Sequence, residues 1–521
     1  MIKVLLVCPK FPPSFWSFKT AVKLLGLEAI MPPTGLATIA AMLPAQFFRA
    51  LPIVDLNIEP LTDKHLKAAD IVMITAMIVQ SEFLRQLIAR VKRLGKTVVV
   101  GGPYATTYCE EVVAMGADHV LRGEAEITLG PFVDDFLAGK AEQIYDEVSV
   151  CARIKVALTR EGKPVITGTP IPRWDLLRCR AYSSMAIQFS RGCPFDCEFC
   201  DIVILNGHEP RTKTSAQFIT ELEAIWLTGW RGSVFIVDDN FIGNRRAVRE
   251  LLPKLIKWQR RRGFPFSFFT EASLDLANDD LRDIRKLMIA AGFEQVFIGI
   301  ESTNPEVLAG HGKKQNRGDI GSKVKILHAA GLEVMAGLII GSDNDKPTVF
   351  DETFEFVQDN GIVASMAGFL TALRGTPLYR RLAGEGRLRA ESSGNNTHQL
   401  DFNFEPKLNE RFLVDGYVRF LERLFSSRNY YERCRTLRRR RGTYRRISRI
   451  NRPGLLAAAR IIYRNLFQRP DWEFAKFILG TICKAPRDLA EAITQAVKLA
   501  HFQEITETMV RTYRQEREVC F

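Results

Sequence analysis

The sequence predicts an α/β chain made of a doubly wound parallel sheet, a second βα series closing part of a barrel, and a mostly helical C-terminal region. Residues 1–145 alternate short apolar runs with amphipathic helical periods, the pattern of parallel strands joined by crossover helices. Residues 183–400 repeat that alternation about six times, which suits a partial barrel better than a flat sheet. From 401 to 521 the strand pattern gives way to helical periods.

In the first segment, strands are expected at 3–7, 53–56, 71–75, 97–100 and 119–121, with a helix at 81–94 among the connections. Doubly wound sheets bind ligands beyond the carboxyl ends of their strands. Those ends carry Thr75, Gln80, Gly101, Gly102, Pro103, Tyr104 and the turn Gly123-Glu124-Ala125-Glu126. Glycine there lets backbone approach a ligand closely, although the same residues also make ordinary turns. A stretch with Gly162, Pro164, Gly168, Pro170 and Pro172 then reads as a linker spanning 146–182.

The second series has strands expected at 234–237, 267–270, 296–300, 334–340 and 364–370, with helices at 216–228, 245–261 and 280–291. Asp238, Asp239, Glu271, Ser273, Glu301, Ser302 and Gly341 stand at its strand ends, where catalytic groups of such a fold belong. The last region holds helical stretches at 411–425, 455–467, 472–482 and 489–502.

Seven of the ten cysteines show no framework spacing, which speaks against a disulfide scaffold and points to a reducing cytoplasm. The N-terminus is apolar only as far as Pro9, so it reads as a first strand rather than a signal peptide. No apolar run reaches the roughly eighteen residues of a membrane span. The net charge of +13 is unevenly placed, with eight arginines and no acid in 434–449.

Residues 192–201 read Gly-Cys-Pro-Phe-Asp-Cys-Glu-Phe-Cys-Asp, a C-x3-C-x2-C array of Cys193, Cys197 and Cys200. Three such thiolates can hold three corners of a cubane [4Fe-4S] cluster and leave the fourth iron open. The alternative is a structural zinc knuckle, but that site closes with a fourth Cys or His at short range. The nearest histidine is His208, and there is no second C-x2-C pair.

The array, with Phe199 before its third cysteine, resembles the signature of the radical S-adenosylmethionine (radical SAM) superfamily. Val237-Asp-Asp-Asn-Phe-Ile-Gly243, Thr270-Glu-Ala-Ser273, Ile298-Gly-Ile-Glu-Ser302 and Gly337-Leu-Ile-Ile-Gly341 follow in the family's order. With the segment before it, the chain resembles a cobalamin-binding radical SAM enzyme: a Rossmann-like cobalamin domain, a partial (β/α)6 barrel and a family-specific C-terminal domain. The resemblance implies that Cys193, Cys197 and Cys200 hold the cluster. It places S-adenosylmethionine against Phe199, Asp238, Asp239, Glu271, Ser273, Glu301, Ser302 and Gly341. It places cobalamin against Thr75, Gln80, Gly101, Gly102, Pro103, Tyr104, Gly123 and Glu124. The Asp-x-His-x-x-Gly loop of many cobalamin domains is absent, and neither His65 nor His119 has that context, which implies no histidine on cobalt.

Residues 201–213, 238–244 and the tail motifs Glu405-Pro-Lys407, Gly416-Tyr417 and Tyr430-Tyr-Glu-Arg433 resemble the branch containing hopanoid C-2 methylases and the glutamine C-methyltransferase of methyl-coenzyme M reductase. The implied reaction is methylation of an unactivated sp3 carbon, through a 5′-deoxyadenosyl radical and methylcobalamin. The expected substrate is a small molecule or hopanoid-like lipid, with a protein glutamine as the alternative. A radical oxidation or rearrangement without methyl transfer is the other enzyme reading. An electron donor such as flavodoxin or ferredoxin is implied. The arginines at 435, 438–441, 445, 446 and 449 suit phosphate. With Tyr444 the only aromatic among them, nucleic-acid stacking platforms are sparse. An anionic membrane surface beside amphipathic helices fits them better, giving a cytoplasmic protein docked peripherally on the inner face.

Overall fold

The computed structural model describes residues 1–395, 400–441 and 452–519. Its first sheet contains β1 (Ile2–Cys8), β2 (Phe48–Ala50), β3 (Val54–Asp55), β4 (Ile71–Thr75), β5 (Thr97–Gly101), β6 (His119–Leu121) and β7 (Ile144–Tyr145). All pair in parallel, in the order β2-β1-β4-β5-β6-β7 with β3 also on β1. Valine and isoleucine runs such as Val98-Val99-Val100 are buried because helices cover both faces, as parallel sheets require. The chain leaves β1 in both directions across the sheet, so a crevice opens beyond Cys8 and Thr75.

The barrel segment contains β8 (Ser184–Ile187), β9 (Ser190–Arg191), β10 (Arg211–Thr212), β11 (Gly232–Ile236), β12 (Phe266–Glu271), β13 (Phe293–Glu301), β14 (Glu333–Ile340) and β15 (Ser365–Phe369). Six of these, β8, β11, β12, β13, β14 and β15, lie side by side in chain order and in parallel, the half-barrel expected from the alternation. The antiparallel β9–β10 ribbon closes the base of the cysteine loop. In β12 burial alternates residue by residue: Phe266, Phe268 and Thr270 are buried, while Ser267, Phe269 and Glu271 share the opposite, half-buried face.

Short strands escaped the sequence pattern. The three-residue β2 and two-residue β7 are too short to show a period, and the four-residue β8 was not among the strands expected within 183–400. The stretch 146–182 holds short 3-10 turns yet packs firmly, with Trp174 buried and Arg173 N donating to Ala37 O at 3.0 Å.

The C-terminal helices are Glu410–Leu424, Ser427–Arg440, Arg452–Tyr463 (continued by the π turn Arg464–Gln468), Trp472–Lys484 and Leu489–Val519. The last runs well past the expected 489–502 because no Gly or Pro interrupts it. His501 Nε2 lies 3.1 Å from Phe15 O of the first segment, and Lys498 Nζ reaches Glu333 of β14 at 3.2 Å. Phe15, Phe425 and Phe502 share one aromatic cluster, with ring centroids 4.8 to 6.0 Å apart.

In the described part of the arginine run, 435–441, Arg439 is exposed while its neighbours are engaged. Arg441 is ion-paired with Glu491 at 2.7 Å and only 11% exposed, while Arg440 Nη1 lies 3.4 Å from Asn360 Oδ1 and Arg438 Nη1 3.4 Å from Thr481 Oγ1. These fasten the Ser427–Arg440 helix to its neighbours. Tyr444, Arg445, Arg446 and Arg449 lie outside the described residues.

Candidate functional site

A cavity of about 530 Å3 lies between the carboxyl ends of the first sheet and the barrel residues that follow β8, β11 and β15. Of the expected barrel-site residues only Asp239 lines it, and Cys193, Cys197, Cys200, Phe199, Asp238, Glu271, Ser273, Glu301, Ser302 and Gly341 do not. From the first sheet it is lined by Thr75, Met77, Gly101, Gly102, Pro103, Tyr104, Gly123 and Glu124, and from the barrel by Gln188, Arg191, Asp201, Asn206 and Asp239. Apolar side chains, among them Leu36, Ile39, Met42, Leu205 and Leu373, line it as well. Gly102 leaves part of this space. Its φ is +91°, and a Cβ there would stand 2.3 Å from Thr75 Oγ1. Gln80 does not face the cavity. Its amide donates to Pro9 O at 2.6 Å and accepts from Met77 N at 2.9 Å, holding the loop from within. Tyr104 OH donates to Glu111 at 2.8 Å. Neither expected-idle histidine lines the cavity: His65 caps a helix against Thr62, and His119 Nδ1 sits 2.6 Å from Glu142 O.

Glu124 joins the two halves. It pairs with Arg191 at 2.7 Å and Arg211 at 2.8 Å, while Glu126 pairs with Arg191 at 3.0 Å. Arg191 opens the cysteine loop, and Arg211 closes it and also donates to Asn206 O at 2.8 Å. The Gly-Glu-x-Glu turn therefore addresses the barrel as well as the cavity. Beside it the buried pair Lys213–Glu221, at 2.6 Å, lines the same space.

Cys193, Cys197 and Cys200 are half-buried on one loop, and burial pushes the Cys193 and Cys200 thiols up. Among the described residues no three Cys, His, Asp or Glu side chains are grouped tightly enough for a single metal ion. Gly192 N and Asn206 Nδ2 donate to Asp239 at 2.8 and 3.0 Å, and Glu198 N donates to His311 O at 3.0 Å, which together fix the loop ends. Asp238 is fully committed inside. It accepts from Phe189 N, Ser190 N and Ser190 Oγ at 2.6 to 2.9 Å, although burial still pushes it up to about 7.

Glu271 is the exception among these acids. No side-chain partner reaches its carboxylate among the described residues, and burial, with Asp239, Glu301 and Asp238 nearby, pushes it up to about 8. An acceptor so placed fits a ligand bearing ammonium or hydroxyl donors. Ser273, half-buried one turn on, has its backbone N on Asn240 Oδ1 at 3.1 Å. Glu301 takes a left-handed φ of +63° where β13 slips its register, and it accepts from Lys313 Nζ at 2.6 Å. A Cβ at Gly299 would meet Glu301 Oε1 at 2.2 Å and Lys313 Nζ at 2.8 Å, so a side chain there would displace this ion pair. Ser302 Oγ accepts from Asn304 N, and Gly341 N and Ser342 N both donate to Asp345, which burial lifts to about 6. Phe199 stands edge-on to His311 at 5.3 Å, with Lys313 Nζ 5.6 Å from its ring centroid.

The segment after β13 was missed by sequence reasoning. Gln315 Nε2 lies 3.5 Å from Cys197 Sγ, and Asn316 Nδ2 donates to Gly299 O and Ile300 O at 2.9 Å. Lys313-Lys314-Gln315-Asn316 carries no motif and reads as a surface turn, so nothing short of the fold reveals it.

Two sheets whose strand ends share one cavity, one half bearing a glycine-lined crevice and the other a three-cysteine loop, define a cobalamin-binding radical SAM enzyme. Residues 23–132 match the B12 binding domain, 187–357 the Radical SAM superfamily, and 376–515 a domain of unknown function, DUF4070. The chain is 41% identical to an uncharacterized methyltransferase of Synechocystis sp. over 83% of this chain and 78% of that one. It is 36% identical to the hopanoid C-2 methylase of Rhodopseudomonas palustris, over 77% and 73% respectively. In fold it is similar to OxsB with aqua-cobalamin bound, at a TM-score of 0.60, 13% identity and coverage of 99% of this chain and 81% of that one. TsrM from Kitasatospora setae with cobalamin and a [4Fe-4S] cluster is similar too, with a TM-score of 0.59, 16% identity and coverage of 96% and 100%. The chain belongs to the B12-binding radical SAM methyltransferases, whose cofactors are a [4Fe-4S] cluster, S-adenosylmethionine and cobalamin.

Proposed function

We propose that this methyltransferase methylates an unactivated sp3 carbon of a hopanoid-like lipid. The observation that carries the reading is the single cavity shared by both sets of strand ends, lined largely by apolar side chains. When bound, the cluster supplies the electron that cleaves S-adenosylmethionine, and cobalamin carries the methyl group. The chain's own residues align and exclude. Cys193, Cys197 and Cys200 hold the cluster on a loop whose two ends Asp239 and Arg211 fix. Glu271, held largely protonated by its surroundings, offers hydrogen bonds, and the Lys313–Glu301 pair offers charge, to the amino-acid and ribose groups of S-adenosylmethionine. Gly101, Gly102 and Tyr104, which line the cavity, would hold the corrin.

A C–H bond on such a carbon has no basic site and no leaving group, so acid–base groups cannot open it, and the walls need only keep water and oxygen away. Leu36, Ile39, Met42, Leu205 and Leu373 do that, and they also suit an apolar substrate. The 36% identity to a hopanoid C-2 methylase supports a lipid of that kind. A flavodoxin or ferredoxin in the cytoplasm is the fitting electron donor.

Anaerobically reconstituted protein, supplied with a hopanoid, S-adenosylmethionine and a reductant, should yield product heavier by one methylene. Replacing Cys193, Cys197 and Cys200 with alanine should abolish 5′-deoxyadenosine formation while cobalamin stays bound. Product of unchanged carbon count would point instead to oxidation or rearrangement, and a methylated protein side chain to the glutamine branch.

A further inference from the structure

One surface of the molecule has no part in the cavity. Eight of the twenty large hydrophobic side chains exposed among the described residues fall within 455–482, on two consecutive helices. On Arg452–Tyr463 and its π turn, Ala457 and Ile461 are buried, whereas Leu455, Tyr463 and Phe467 point away from them and stand 56 to 71% exposed. On Trp472–Lys484, Phe474, Phe477 and Thr481 pack inward, whereas Trp472, Leu479 and Ile482 recur at helical spacing on the opposite side. Each helix thus buries one apolar face and shows solvent a second. A fold gains nothing by exposing such a stripe, and contiguous apolar surface of this kind marks an interaction site.

The rim of the stripe identifies the partner. Arg460, Arg469, Lys476, Lys484 and Arg487 are exposed along these helices, with Arg469 paired to Glu507 at 2.7 Å and Lys476 to Glu473 at 2.9 Å. The stretch 455–487 has six basic residues against the two acids Asp471 and Glu473. Tyr463 and Phe467 stack at 5.7 Å, and Lys476 Nζ lies 5.9 Å from the Trp472 ring centroid. Aromatic side chains beside cations is the composition of a helix lying in a membrane interface. No described helix is long and apolar enough to cross a bilayer. A second copy of the chain would bring the same positive charge to this face and repel it, whereas an anionic lipid surface complements it.

We propose that the outer face of Arg452–Tyr463, Arg464–Gln468 and Trp472–Lys484 docks on an anionic bilayer, with Phe467 and Trp472 entering the headgroup region. This deepens the lipid-substrate reading by giving the enzyme its approach to a membrane, but it stands on surface chemistry alone. It also moves the docking role from the arginines at 438–441, which are largely spent on internal contacts, to the helices that follow.

The test uses the full-length protein and vesicles of phosphatidylcholine with or without phosphatidylglycerol, free of hopanoid and of S-adenosylmethionine. Its result is therefore independent of what the enzyme methylates. The protein should co-sediment with the anionic vesicles and much less with the neutral ones. Phe467→Ser with Trp472→Ser should weaken that binding about tenfold or more, since each ring buries substantial apolar area. Lys484→Gln with Arg487→Gln should weaken it less and reduce its salt dependence. Unchanged circular dichroism and iron loading would show that each variant is folded. A folded parent protein left in the supernatant with anionic vesicles overturns the proposal. So does equal binding by parent and Phe467/Trp472 variant. Concentration-dependent dimerisation that this variant abolishes, without vesicle binding by the parent, assigns the face to a second copy and overturns it as well.

Discussion

Gly102 shows how one missing side chain shapes the cavity. At φ +91°, with Thr75 Oγ1 2.3 Å from where a Cβ would stand, both backbone and space demand glycine. Gly102→Ala should weaken corrinoid uptake about tenfold or more, read from the absorbance of bound cofactor, because strain of 1–3 kcal/mol and a displaced Thr75 both oppose the crevice. Glu271 is the opposite case, a carboxylate present without a partner. Its ordinary value near 4.5 is raised to about 8 by burial and by the neighbouring acids. The folded protein therefore holds this proton more tightly than the unfolded chain, and the fold loses stability as pH rises from about 4.5 to about 8. Glu271→Gln should remove that loss: its denaturant midpoint should approach or pass the parent's as pH increases, with a difference of a few kcal/mol across the window. A variant equally affected at pH 5 and pH 9 would show that Glu271 has a partner in solution. Such residues were legible in the sequence because strand ends and close spacing announce them. Gln80 and Asp238 were legible only as positions: which way a loop side chain turns is set by partners distant in the chain, here Pro9 and Phe189-Ser190.

Long elements announced themselves and short ones did not. The 245–261 helix and the strand at 71–75 were expected at the bounds they adopt, since each shows several periods of its pattern. Strands β2, β7 and β8 are held by their neighbours in the sheets rather than by any period of their own. Part of the fastening of the helical region to the barrel was likewise hidden, because it runs through a buried acid. Glu333 opens β14, and burial opposes its charge. Lys498 and Arg441 outweigh that cost, with Gln295 and Gln495 donating to it, and hold it down at about 2. A depressed carboxylate contributes stability that is fully present above its ordinary 4.5 and lost as pH falls toward about 2. Glu333→Ala should cost about 3–5 kcal/mol at neutral pH, the usual effect of stripping one partner from a buried charge group. It should also flatten the acid limb of the unfolding curve between pH 4.5 and 2. A loss below about 1 kcal/mol would show Lys498 and Arg441 finding water instead.

At the scale of the molecule, three segments distinct in sequence share one core. The last helix touches Phe15, Phe425 and Glu333, and so ties the first sheet, the helical region and the barrel together. The cavity depends on that fixed geometry, since its two walls belong to different sheets. Composition implied a boundary between them but not the joint, which is the network of Glu124, Glu126, Arg191 and Arg211. Glu124 was expected at the cobalamin site, and both of its oxygens also reach arginines at the two ends of the cysteine loop. Glu124→Gln should therefore act on alignment more than on affinity. It leaves Arg191 and Arg211 with less compensating charge, so a loss of several kcal/mol in stability is expected. Iron content and corrinoid binding, measured on the folded fraction, should stay near the parent values. The ratio of 5′-deoxyadenosine to methylated product should rise several-fold, because cleavage needs only the barrel whereas methyl transfer needs both walls in register. A variant that loses corrinoid in proportion to activity, with that ratio unchanged, would return Glu124 to a simple binding role.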